Sequence, residues 1–397
     1  MTPHQTESAP LANFKPVGSV GLLLALIGII GLAAMGLSGS AEVSKLVTTG
    51  YFYGWALVMS LCLGCLGFTM LHHVVRGSWG LSVLRVFEAG SSPMTLFIMA
   101  LAYLPIWLNR ETIYHHWLHF DPADKIMLFK SPYLNENWFA IRTVIYFVIW
   151  IGLSALLRKW SLKEDETKDI SYRHKRTNLS AAGLLIYVIT ITLAATDWFM
   201  SVDPHWFSAI FGPLYMIGGA VFAISLGTFV VCRNAKKAPY NEIVSVQLTK
   251  DLGNLMFAFT MLWIYFSLSQ YIIIWSGNLP EFITFYKNRQ GPFLSMLGFV
   301  NIVFTWLLPW GLLLAPINKA KPERLMLIAG FAMLMRAVDV YWNFMPFFRA
   351  NPSIADLFGI IAVLGLWMFG FGQSLRQASI LPAHDTRLQE AFKHHHA

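Results

Sequence analysis

The chain has 397 residues and a mass of 44.8 kDa. Hydrophobic residues make up 56%, charged residues only 13%, and mean hydropathy is +0.54, which excludes a soluble globular protein, where about 25% of residues are charged. Three cysteines and the apolar content also exclude disulfide-framework and disordered classes, and the net charge of +8 resides in segments between apolar runs, so no nucleic-acid partner is expected.

A helix crossing a membrane needs about 20 predominantly apolar residues. Ten segments qualify, at 18–37, 51–72, 94–109, 138–158, 180–200, 206–232, 251–276, 293–315, 325–345 and 354–376. The expected fold is all-α and polytopic: a transmembrane domain over 18–376 between tails at 1–17 and 377–397. Span 3 is the weakest, because Pro105 interrupts it, and residues 79–93 read as an interfacial or tilted lead-in. The first tail is polar, with Lys15 its only base, and shows no signal-peptide pattern.

Of the 29 Lys and Arg residues, 20 fall on the side of the two tails and 7 on the other, while Arg142 and Arg336 lie inside spans. The positive-inside rule then places both termini in the cytoplasm. The richest loop, 158–176, reads as a topology anchor touching anionic lipid or as a docking segment for a partner. A shift of four helices restores direction, so spans 2–5 and 6–9 are expected to form two four-helix bundles with spans 1 and 10 peripheral.

Ionisable groups within a bilayer are costly and face a bundle interior or a water path. Span 2 ends in CLGCLGFTMLHH, with Cys62, Cys65, Thr69 and His72 on one face leading to His72 and His73. Glu88 precedes span 3. Span 5 carries Asp197 near its outer end, with Thr190 and Tyr187 behind it; Asp203–Pro204 reads as the cap of the next helix, and His205 as a titratable group at the outer boundary. Span 7 opens with Asp251 on a stripe with Asn254, Tyr265 and Ser269, as a cap or a point of proton uptake. Span 9 places Arg336, Asp339 and Asn343 at i, i+3 and i+7, either as a locked ion pair or as a proton- or quinone-related site.

Titratable groups thus approach mid-membrane from both faces, as two half-paths for protons. Histidines cluster at span ends rather than in facing pairs at mid-span, and the Cys-x-x-Cys lacks the histidine of a c-type haem site, so no metal or haem is expected in this chain. The terminal KHHHA is assigned no function.

DWFMSVDPHWFSAIFGPLY (197–215), RAVDVYWNFMPFF (336–348) and WIYFSLSQYIIIWSGNLPEF (263–282) together resemble the ActF subunit of bacterial alternative complex III, a quinol oxidoreductase, and the likeness extends to related NrfD- and PsrC-like membrane subunits. The resemblance implies a non-redox membrane subunit of the respiratory chain in a bacterial inner membrane, inactive alone. Its implied partners are an ActC-like paralogue, an iron-sulfur peripheral subunit, c-type cytochromes and lipid, with menaquinol or ubiquinol as substrate of the complex. Asp197, His205, Arg336 and Asp339 match the family motifs as proton-handling or helix-locking groups. A stand-alone secondary transporter using Arg336 and Asp339 is the competing reading.

Overall fold

A computed structural model describes residues 12–37 and 39–382. Most of both expected tails, KHHHA included, lies outside these residues. Among the described residues the chain is all-α, and ten helical segments are long and apolar enough to cross a membrane. They are span 1 (Lys15–Gly36), span 2 (Ala41–Val75), span 3 (Trp79–Leu108), span 4 (Glu136–Thr167), span 5 (Ser171–Val202), span 6 (Phe211–Arg233), span 7 (Val246–Gly277), span 8 (Pro292–Leu314), span 9 (Pro322–Phe347) and span 10 (Ile354–Leu375).

The packing follows the expected division. Spans 2, 3, 4 and 5 contact one another in a ring, and spans 6, 7, 8 and 9 form a second ring. Span 2 packs along span 6 to join them, while span 10 rests on spans 2 and 3 and carries span 1 on its outside. Span 1 runs antiparallel to span 10, with Gly18 beside Gln373 and Gly31 beside Phe358, so both described ends lie on one face, called here the terminal face; the other is the distal face.

Small residues set the closest approach between the rings. A methyl group on Gly64 would lie 2.1 Å from the Gly219 carbonyl oxygen, so these backbones touch only because neither residue has a side chain. The absence of water between helices in a bilayer removes the usual hydrophobic drive, and such contact is what holds spans together. Tyr215 adds a cross-ring hydrogen bond, its hydroxyl donating to the Ala56 carbonyl at 2.8 Å.

Several expected boundaries move. The segment from Trp79 is no interfacial lead-in: Gly80–Gly90 are all buried, and span 3 bends at Ser91, with Ser92 capping Pro93–Leu101. The basic loop 158–176 is mostly helix, because span 4 continues to Thr167, where the positive φ of Lys168 ends it, and span 5 begins at Ser171. Span 4 has 32 residues, about 48 Å of helix against a hydrocarbon core near 30 Å, so this helical hairpin projects beyond the membrane. Asp203–Pro204 caps no helix: span 6 starts at Phe211, and Asp203 instead closes a turn that accepts from the Trp206 N–H at 3.1 Å. Span 7 begins at Val246 with Ser245 as its cap, which leaves Asp251 inside the first turns.

Candidate functional site: buried carboxylates in two helical rings

Span 9 carries Asp339 in the distal half of the second ring, fully buried. Arg336 sits one turn earlier on the same helix and pairs with Asp339 Oδ2. Two neighbouring helices supply neutral donors: Trp263 Nε1 of span 7 donates to Oδ2 at 3.2 Å, and Asn301 Nδ2 of span 8 donates to Oδ1 at 3.1 Å. Asn343 Nδ2 adds a third neutral donor at 2.9 Å. The expected alignment of Arg336, Asp339 and Asn343 on one inward face therefore holds, and all three are buried.

Asn301 reaches Asp339 because span 8 is not a regular helix there. Residues Asn301–Leu307 form a π-helix, and Pro309 lacks the N–H that would bond the Thr305 carbonyl in an α-helix. The wider turn lets the Asn301 amide face both ways: its oxygen accepts from the Thr305 hydroxyl at 2.7 Å while its nitrogen serves the carboxylate.

Asp339 borders two spaces of different character. On one side lies an apolar cavity of about 450 Å³ whose lining includes Trp263, Gln270, Tyr286, Asn301, Asp339 and Trp342. That volume falls in the range of small-molecule sites. The Trp342 indole N–H is buried without a partner among the described residues. On the other side, Gly218, Thr260, Thr305 and Arg336 enclose about 10 Å³, room for about one water molecule. Gly218 is required there: a methyl group on it would stand 2.1 Å from Arg336 Nη1.

Arg289 closes the distal end of this region. Buried in the segment after span 7, it donates to the carbonyls of Trp342 at 2.9 Å, Asn343 at 2.7 Å and Phe285, and its guanidinium lies 3.5 Å from the centre of the Phe285 ring. Burial pushes its pKa down to about 9, which still leaves it a cation at neutral pH, set against the C-terminal carbonyls of span 9.

The first ring holds a second buried carboxylate, Asp197, on span 5. Its partners come from span 4: Arg142 Nε and Nη2 donate to its two oxygens at 2.8 and 3.0 Å, and the Tyr146 hydroxyl donates at 2.7 Å. Spans 5 and 9 occupy matching places in their rings, and both end in a 3₁₀ turn, Met200–Val202 and Met345–Phe347. Asp339 lies about one turn deeper. Tyr187 and Thr190 of the same span are also buried and bind the Leu63 carbonyl at 2.9 Å and Trp150 Nε1 at 2.9 Å.

His205 does not join Asp197. The chain turns outward after span 5, and His205 is exposed, with Nε2 at 2.6 Å from Asp124 Oδ2. Asp124 caps the short helix Lys125–Lys130, and hydrogen bonds from the Met127 N–H and from His205 hold its carboxyl below the usual range.

On the terminal face, buried His72 and His73 border a small cavity together with Arg85, Glu164 and Asp165, and buried Glu88 is tied to that cavity through Arg85. Glu88 lies inside span 3 rather than before it and pairs with Arg85 at 2.6 Å. Arg85 also binds Asp165 and the Ser161 hydroxyl, and Arg176 binds Glu164, so the projecting hairpin of spans 4 and 5 turns its inner charges onto this cluster. The basic segment is thus in part an internal ion network. Asp251 stays apart, accepting from Gln247 Nε2 at 2.8 Å, and Tyr265 of its stripe is 63% exposed on the outer side of the ring.

Sequence reasoning missed Trp263, Asn301, Arg85 and Asp165, and left Arg142 without a partner. Arg142 was detectable, since a lone arginine inside a span demands a carboxylate. Neutral Trp263 and Asn301 carry no such signal. No protein-family model and no curated protein matches this chain.

Proposed function

We propose that this chain is an integral subunit of a respiratory quinol:electron-acceptor oxidoreductase. In this reading it holds no redox group, supports assembly and moves protons along two half-paths. The observation that carries the reading is Asp339: a buried carboxylate bounded by an apolar cavity of about 450 Å³ on one side and a water-sized void on the other. Such a group can exchange a proton between a lipophilic space and an interior water site.

On the terminal face, His72 and His73 beside Arg85, with Glu88 paired to that arginine, supply the second half-path. Between the two ends, Leu61, Leu63 and Phe222 keep the middle of the rings apolar and packed. A break of that kind prevents a continuous leak. The motifs shared with the ActF-like family support the assignment of partners: an ActC-like paralogue, an iron-sulfur subunit and c-type cytochromes. The charge asymmetry supports cytoplasmic termini, and the family resemblance supports a bacterial inner membrane.

Isolation from native membranes in mild detergent tests the assembly. Co-purification with haem c and iron-sulfur proteins is expected, and a chain running alone without haem absorbance refutes it. Within the assembly, Asp339→Asn is expected to lower the proton-to-electron ratio while quinol oxidation continues; an unchanged ratio leaves only a scaffold.

The second reading, a stand-alone secondary transporter, draws on the bend of span 3 at Ser91 and the π-helical turn of span 8, since transporters bind substrate where spans are interrupted. Solute uptake by proteoliposomes holding only this chain would select it.

A further inference from the structure

The segment joining spans 3 and 4 carries Glu111, His115 and His119 at four-residue spacing. Helices Arg110–Ile113 and His115–Leu118 follow one another with only Tyr114 between them, so this spacing keeps all three residues on one side. The opposite side is fixed to the protein. Ile113, Tyr114 and Trp117 are buried; the Tyr114 hydroxyl is 3.2 Å from the Trp198 carbonyl oxygen, and the Trp117 ring centre is 5.3 Å from that of Phe139. Arg110 is held by Glu136 at 2.5 Å and stacks over Trp107, so its charge is engaged elsewhere.

On this fixed base the three side chains face solvent, and one donor atom from each lies within 4.8 Å of the other two. His119 Nε2 and Glu111 Oε2 are already 2.6 Å apart, and the rings of His115 and His119 are 5.2 Å apart. We propose that Glu111, His115 and His119 form a three-ligand site for a first-row divalent metal of the zinc type. Two imidazoles and one carboxylate favour Zn²⁺ over Mg²⁺ or Ca²⁺, which take oxygen ligands. With bonds of about 2.0–2.2 Å, donors on a tetrahedral ion stand about 3.3–3.6 Å apart. Rotation of exposed side chains suffices to reach that spacing, with no backbone shift. The fourth position faces solvent, open to water or to a side chain of a neighbouring subunit. Bound metal ties the two short helices into one unit above the distal end of the first ring. This site lies outside the groups assigned to proton movement and stands independently of that assignment.

The test uses the full chain in detergent, in a background carrying His394→Ala, His395→Ala and His396→Ala so that the histidine tail contributes nothing. Titration with Zn²⁺ is expected to show one equivalent per chain, and Co²⁺ to give the visible absorbance of a four- or five-coordinate ion. His115→Ala is expected to weaken binding by about 100-fold or more, since loss of even an outer-shell partner costs about 10–100-fold. His205→Ala, at the exposed His205–Asp124 pair, should leave binding unchanged. Unaltered stoichiometry and affinity in His115→Ala plus His119→Ala would overturn the proposal, as would binding weaker than about 1 mM in the parent. All three ligand side chains are exposed, and an unchanged metal-free melting curve verifies that the variants fold.

Discussion

Asp197 and Asp339 are both fully buried carboxylates near the distal ends of matching helices, yet their surroundings differ in kind. Asp197 receives its countercharge across a helix interface, by a two-point clasp from Arg142 on span 4, and is packed among Tyr146 and Trp198. The pair joins two helices, and any loss of charge on Asp197 breaks that joint. Asp339 receives its countercharge from Arg336 on its own helix, so the ion pair joins nothing; neutral Trp263 and Asn301 make the links to spans 7 and 8. Neutral donors tolerate a change of charge better than a guanidinium does, and Asp339 borders a cavity. The comparison separates a carboxylate whose ion pair joins two helices from one whose links to other helices are neutral.

The largest effect is expected from Asp339→Ala, which strands Arg336 in the interior. Removing one partner of a buried pair costs about 3–5 kcal/mol, enough to lose most folded protein in a detergent melting assay. Asp197→Ala should cost less, about 1.5–3 kcal/mol, because Arg142 is 15% exposed and can turn toward water. Equal costs in the same assay would dissolve the distinction between the two sites.

Gly218→Ala sharpens the contrast further, since it forces Arg336 away from its place without touching a charge. A cost of about 1–3 kcal/mol is expected from this overpacking, together with a lower proton-to-electron ratio in the assembled complex. A silent Gly218→Ala would mean that Arg336 has room to relocate. Trp263→Phe removes one neutral donor to Asp339 and should cost about 1 kcal/mol.

The smallest effect concerns the distal surface below the Asp197–Arg142 pair. Asp124 has a carboxyl pKa below its ordinary value, so its contribution to stability is present above about pH 3.9 and is lost as pH falls through the lower folded value. Amide exchange at Lys125–Lys130 should therefore rise below about pH 4 while exchange in spans 4 and 5 stays slow. Protection of the short helix that persists unchanged below that pH would remove the capping role of Asp124.

Legibility in the sequence followed charge. Arg336, Asp339 and Asn343 were found because helical spacing fixes which residues share a face, and a charge in a span cannot face lipid. Asp203 and Asp251 were misread as caps because the helices begin elsewhere, at Phe211 and at Val246 with Ser245 as its cap. Glu88 was found as a residue but misplaced, since Trp79–Gly90 contains Arg85, Glu88 and small residues that lower its hydropathy while the helix is in fact enclosed by other spans. Trp263 and Asn301 resemble ordinary residues of an apolar helix until span 9 is set beside them.

By itself the sequence determined the all-α class, the number of spans and the scarce ionisable residues inside them, because the energetics of burying backbone and charge in a bilayer act on local composition. Only the tertiary structure decided which charges meet. The pairing of Arg142 with Asp197, the closing of Arg85 and Glu88 against the hairpin of spans 4 and 5, and the cavity at Asp339 all depend on contacts between helices, and a helix's own sequence does not record what packs against it.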